Sequence, residues 1–120
     1  MNKNLTWVGL IKEHGNAANS KSIIDLMNQP LDQHKKSKVV DYMKRGSIIA
    51  SCPSSIVDKL EPSIRLRSHY VQADEIYQWN SYLIYYLEKY DVELPEEFVN
   101  HVLAQPLQTN PVYGGYPDPN

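Results

Sequence analysis

Residues 74–98, DEIYQWNSYLIYYLEKYDVELPEEF, constrain the fold of this chain more than any other stretch. They pack a short strand, an aromatic helix and a proline-started second helix into 25 residues. Ile76 to Trp79 reads as the strand, and Asn80 or Ser81 caps a helix from Tyr82 to Tyr90. Leu83, Leu87 and Tyr90 form its apolar stripe, joined by Tyr86 or Ile84, while Tyr82 and Tyr85 fall on the flanks, where exposure is expected. In the next helix Pro95 takes the first helical position, and Glu96 and Glu97 complement the dipole. Phe98, Val99, Val102 and Leu103 make its apolar face, and Pro106 ends it. The stretch holds five of nine tyrosines, one of two tryptophans, the only phenylalanine and half of the acidic residues. It is the expected centre of the core and of any interface.

Upstream, residues 63–72 carry the clearest strand signal. Ile64, Leu66 and Tyr70 alternate with Arg65, Arg67 and His69, so one face is mainly apolar and the other basic. This strand and the one at residues 76–79 form a hairpin, although the Ala73-Asp74-Glu75 turn lacks the Asn-Gly or Asp-Gly of a two-residue loop. Residues 47–52, SIIASC, follow Gly46, end at Pro53 and read as a buried strand. The SSIVDKLEP segment after it reads as a loop or one helical turn. Asn19 or Ser20 caps a helix through Ser22 to Met27, stopped by Pro30. A second helix begins at Pro30 or Asp32, carries Val39, Val40, Tyr42 and Met43, and ends at Gly46, with Lys44 and Arg45 in its last turn. Residues 1–18 form a docking arm around Trp7, Val8, Leu10 and Ile11, lying on the domain or reaching a neighbouring subunit. Residues 106–120, with four of the eight prolines, read as an extended tail. The expected fold is one α+β domain over residues 1–105: a small antiparallel sheet of about three strands packed against about four helices.

Charge is unevenly distributed. Residues 1–67 hold 11 Lys/Arg and 6 Asp/Glu, a net +5, and residues 68–120 hold one Lys and 8 Asp/Glu, a net −7. Such asymmetry serves intramolecular pairing, self-association or an acidic face for a basic partner. Five of the twelve basic residues lie between 35 and 45, with few aromatics interleaved, which reads as a solvated helix face rather than a nucleic-acid surface. No apolar run approaches the roughly 18–20 residues of a membrane helix, and the N-terminus lacks a secretory pattern, so a cytoplasmic location is expected.

The pattern Asp74, Trp79, Leu83, Tyr85-Tyr86, Tyr90, Val92, Leu94-Pro95, Glu97-Phe98 resembles small uncharacterised bacterial proteins that end in D-G-x-W-x-W, L-x-Y-Y and Y-x-V-x-L-P-x-E-F. Glu75 stands where the pattern has glycine, and Tyr77 where it has its first tryptophan. These proteins are similar in style to mobile gene cassette products and toxin-immunity proteins. The resemblance implies an α+β fold and no particular activity.

Chemical signatures are sparse. Cys52 is the single cysteine, and a Cys52–His69–Asp74 relay would require proximity that spacing does not supply. His14, His34, His69 and His101 stand too far apart for a metal-ligand motif, and no glycine-rich phosphate loop is present. No catalytic residue, metal or cofactor is expected. The leading reading is a non-enzymatic interaction module of immunity or antitoxin type, whose acidic, tyrosine-rich face meets a basic protein. A homodimer is expected as well, through Tyr82, Tyr85 and the N-terminal arm. The alternative is a small-ligand binding protein or small enzyme, with a pocket between sheet and helices lined by Tyr70, Trp79, Tyr86 and His69, and with Arg65 and Arg67 holding an anion. A deep pocket with converging polar groups favours the alternative. A broad convex acidic patch favours the first reading.

Overall fold

The computed structural model describes residues 5–11, 14, 22–27, 31–52, 55–66 and 69–106. The helices are α1 (Ile23–Leu26), α2 (Gln33–Lys44), α3 (Ser81–Tyr90) and α4 (Glu96–Leu103). The strands are β1 (Thr6–Trp7), β2 (Ser47–Cys52), β3 (Ile56–Val57), β4 (Arg65–Leu66), β5 (His69–Ala73) and β6 (Tyr77–Asn80). The main sheet runs β1-β6-β5-β2, and β3-β4 forms a separate two-stranded sheet. The α+β class stands. The three expected strands supply the antiparallel β6-β5-β2 portion, and β1, joining β6 in parallel, makes the sheet mixed.

Local chemistry sets the helix ends. The Ser22 hydroxyl accepts the Asp25 N–H, so Ser22, not Asn19 or Ser20, caps α1. Asp32 does the same for α2 through the Lys35 N–H. Pro95 sits at the N-cap of α4, one position before the expected one. Asp91 closes α3 in a left-handed conformation, its N–H bonded to the Leu87 carbonyl.

The expected strand over 63–72 is divided. Arg65–Leu66 pairs with Ile56–Val57, which sequence spacing reads as loop or helix, and only His69–Ala73 enters the main sheet. A buried carboxylate explains the division. Asp58 accepts the N–H groups of Leu60 and Glu61 and the hydroxyls of Tyr85 and Tyr90, pinning the connection between β3 and β4 onto α3.

The expected burial of residues 47–52 is also corrected. β2 forms as read, but every position from Ser47 to Ser51 is exposed. It is the last strand of the sheet, paired only to β5, while α3 packs against β5 and β6. Near the opposite edge, Leu5 to Ile11 dock on the domain's own sheet: Thr6 and Val8 donate to the Ile76 and Gln78 carbonyls, and Val8 and Ile11 enter the core. The tail expected at 106–120 lies outside the described residues except for Pro106.

Trp79 is fully buried, its ring centroid 5.6 Å from that of Phe98 and 6.4 Å from that of Tyr42. Its indole edge rests on Gly46, where a Cβ would lie 2.5 Å from Cζ2. Gln72, directly across the ladder from Trp79, donates to the Met43 and Gly46 carbonyls at 3.2 and 3.0 Å and satisfies the end of α2. The charge asymmetry is partly consumed within the fold, since Lys36 meets Asp91 and Lys44 meets Glu88.

Gly46→Ala places a methyl group inside the Trp79 ring contact. The expected cost is about 1–3 kcal/mol, the range for overpacking a filled core. It should appear as a lower urea midpoint with an unchanged slope; an unchanged midpoint would show that the indole yields freely.

Candidate functional site

The β5–β6 turn is built by Asp74. One carboxylate oxygen accepts the N–H groups of Ile76 and Tyr77, both at 2.7 Å, and the Asp74 N–H donates to the Tyr77 carbonyl. This Asx turn replaces the missing Asn-Gly chemistry. The second oxygen accepts the Tyr42 hydroxyl at 2.6 Å and faces His101 Nε2 at 2.9 Å. One carboxylate thus ties the hairpin to α2 and to α4. Burial pushes the Asp74 pKa up, but the Tyr42, Tyr77, Ile76 and His101 hydrogen bonds outweigh it and hold the carboxyl below its ordinary range. The Tyr42 phenol is pushed up, first by burial and then by the neighbouring Asp74 carboxylate.

These groups line a cleft of about 650 Å³. Arg45 and Tyr42 reach it from the end of α2, Ser47 and Ile49 from β2, Asp74, Glu75 and Ile76 from the turn, and His101 and Gln105 from the end of α4. A β-bulge between Ile48 and Ala50 breaks the register of β2, and Ile49 stands there without a partner on β5. Leu5, Ile49, Ala73 and Ile76 provide apolar lining, and Arg45, His101 and Gln105 provide polar lining, with Arg45 Nε donating to Asp41 and Gln105 Nε2 to the His101 carbonyl, each at 3.0 Å. The Asp74 carboxylate fixes the orientation of the His101 imidazole, which lies in the last turn of α4.

The second cluster is closed. Asp58 is fully buried and spent on four hydrogen bonds. Burial raises its pKa, yet the Tyr90 and Tyr85 hydroxyls and two backbone N–H groups hold it below the ordinary range, while the Tyr90 phenol is pushed up to about 12. This cluster is a structural pin.

The residues singled out by sequence scatter. Trp79 and Tyr86 are fully buried, and the Tyr86 hydroxyl is engaged by His14 at 2.7 Å and by the Lys59 N–H at 3.1 Å. Tyr82 and Tyr85, expected on exposed flanks, are 5% and 9% exposed: His14 stacks on Tyr82, and the Tyr85 hydroxyl reaches Asp58. Tyr70 is half-buried on β5, and Arg65 is exposed and donates to the Ser55 hydroxyl. Arg67 lies outside the described residues. His69 packs edge-on against Tyr82, and burial lowers its pKa. Cys52 stands directly opposite His69 across the β2–β5 ladder, but Asp74 lies beyond the far end of β5 and is bonded to His101. The Cys–His–Asp line is therefore not assembled. The cleft residues Tyr42, Arg45, Ile49, Glu75 and His101 escaped sequence reasoning as a site; an aspartate opening a tight turn was the one available signal.

Among the described residues no group of three or more His, Cys, Asp or Glu is placed to hold a metal ion, and no helix is long and apolar enough to cross a membrane. Compared with known proteins, the chain matches no family model, no curated protein and no solved structure.

Asp58 and Asp74 both have folded pKa values below their unfolded ones, so their stabilisation is present above the unfolded value of about 3.9 and is lost as pH falls through the folded values. Thermal stability should decline gently as pH falls below about 6.5, because buried His69 resists the protonation that the unfolded chain accepts, and fall more steeply below about pH 4 as the two carboxylates protonate. Asp74→Asn should lower stability at pH 7 and shallow the acid limb. Parallel acid limbs for variant and wild type would uncouple Asp74 from folding.

Proposed function

We propose that this chain is a non-enzymatic binding protein for a small organic anion with an apolar body. The supporting observation is the cleft itself, to which the end of α2 brings Arg45 and the end of α4 brings His101 and Gln105, with Leu5, Ile49, Ala73 and Ile76 also lining it. Its volume of about 650 Å³ suits a small molecule. The Asp74 charge is spread over four hydrogen-bond donors, His101 among them, and Arg45 Nε donates to Asp41 at 3.0 Å, so a bound anion shares Arg45 and His101 with these two carboxylates. Leu5, Ile49 and Ile76 receive the apolar body, and the acid group lies toward Arg45 and His101.

The interaction reading, an immunity or antitoxin module with an acidic tyrosine face, has less support. Tyr82 and Tyr85 are packed inside, and Glu88 and Asp91 already face Lys44 and Lys36. The anion-binding part of the alternative reading is retained, with Arg45 and His101 in place of Arg65 and Arg67.

The test is nuclear magnetic resonance titration with aliphatic and aromatic monocarboxylates and with their neutral amides. Acids should shift the amide signals of Arg45, Ile49, Ile76 and Gln105 together. Arg45→Ala and His101→Gln should each weaken binding about tenfold, the range for losing a charge-assisted hydrogen bond, and amides should bind more weakly than acids. Equal binding of acids and amides, or no shift at the cleft with millimolar acid, would overturn the proposal.

A further inference from the structure

Among the described residues β2 is at once the longest strand, with six residues, and the outer strand of its sheet. Natural edge strands avoid open pairing by being short, by carrying lysine or proline, or by twisting away. The opposite edge follows that rule, since β1 has only two residues. β2 does not. Its sequence SIIASC holds no charge and no proline, and Ile48 and Ile49 are 37% and 52% exposed. Its neighbour β5, HYVQA, adds no carboxylate, lysine or arginine. The bulge at Ile49 is the single blunting device, and it leaves Ala50, Ser51 and Cys52 in regular register with β5.

Charge decides what can cover such an edge. Pairing buries both strands' neighbouring side chains, and a charged partner strand would find no counter-charge on β2 or β5. A second β2 meets the requirement in full, because antiparallel SIIASC against SIIASC opposes no like charges and covers Ile48 with Ser51 and Ile49 with Ala50 of the other copy. Antiparallel self-pairing is also a closed two-fold arrangement, which stops at two copies. It would bring the Cys52 end of one copy beside the Ser47 end of the other, at the rim of the cleft. We propose that two copies of this chain pair antiparallel along β2, joining their sheets into one continuous sheet across a two-fold axis. This inference does not depend on the identity of the cleft's ligand.

Light scattering coupled to size-exclusion chromatography at about 100 µM should give twice the 13.8 kDa chain mass. Ala50→Lys on β2 should raise the dissociation constant at least tenfold, whereas Thr6→Lys on the β1 edge should leave it unchanged. Circular dichroism verifies the fold of each variant. Should Ala50→Lys not fold, Ile49→Lys takes its place. Hydrogen exchange of the wild type supplies a variant-free readout, with amide protection at residues 47–52 that rises with protein concentration. A monomer at 100 µM, a dimer indifferent to the β2 lysines, an open-ended assembly, or protection independent of concentration would each overturn the proposal.

Discussion

The contact between Gly46 and the Trp79 indole determines how the layers of this molecule meet. A side chain at position 46 would collide with the ring, so only glycine lets the end of α2 approach the sheet this closely. Several features depend on that approach. Gln72 can reach the last α2 carbonyls, so a buried amide replaces water at the helix end. The chain leaves α2 directly into β2, already alongside β5. Tyr42 and Arg45, one turn or less from the glycine, arrive beside the hairpin turn where Asp74 waits. The close approach of α2 to the sheet thus depends on one missing Cβ.

The excess of tyrosine over phenylalanine has an internal explanation. Tyrosine suits half-wet surfaces and interfaces, and composition alone favours that reading. In the folded chain four of the seven described tyrosines use their hydroxyls as pins. Tyr42 bonds Asp74, Tyr85 and Tyr90 bond Asp58, and Tyr86 meets His14 and the Lys59 N–H. Each pin joins segments distant in sequence. Phenylalanine would fill the same volume but leave both aspartates short of donors in a partly dry environment, where an unpaired charge is costly. The two carboxylates and their tyrosines act as fasteners between a small core and its loops.

Much of the fold was legible because local signals there agree with one another. The caps, the proline stops and the apolar stripe of α3 place the helices within a residue or two, and the hairpin of β5 and β6 follows from alternation. The misreadings share a physical cause. Residues 63–72 keep one mainly apolar face, so nothing local reveals that Asp58 pins the connection that holds Arg65–Leu66 in another sheet. Tyr82 and Tyr85 lie on the flanks of the α3 stripe by angle alone, and become interior because the N-terminal segment and the β3–β4 connection close over them. The cleft was hidden for the same reason. Its polar groups come from residues 42–47, 74–76 and 101–105, and their meeting depends on tertiary packing that no window of sequence contains.

β2 shows where sequence and topology disagree most sharply. An uncharged, isoleucine-bearing run after a glycine has the composition of an interior strand, yet the order β1-β6-β5-β2 leaves it one neighbour instead of two. Such conflicts between local pattern and global position concentrate at functional surfaces, because burial by a partner removes the conflict that burial within the chain does not. The bulge that exempts Ile49 from the ladder also brings that residue to the wall of the cleft. One irregularity in one strand therefore belongs to both surfaces. Ser47 and Ile49 thus lie at once on the sheet edge and in the lining of the cleft.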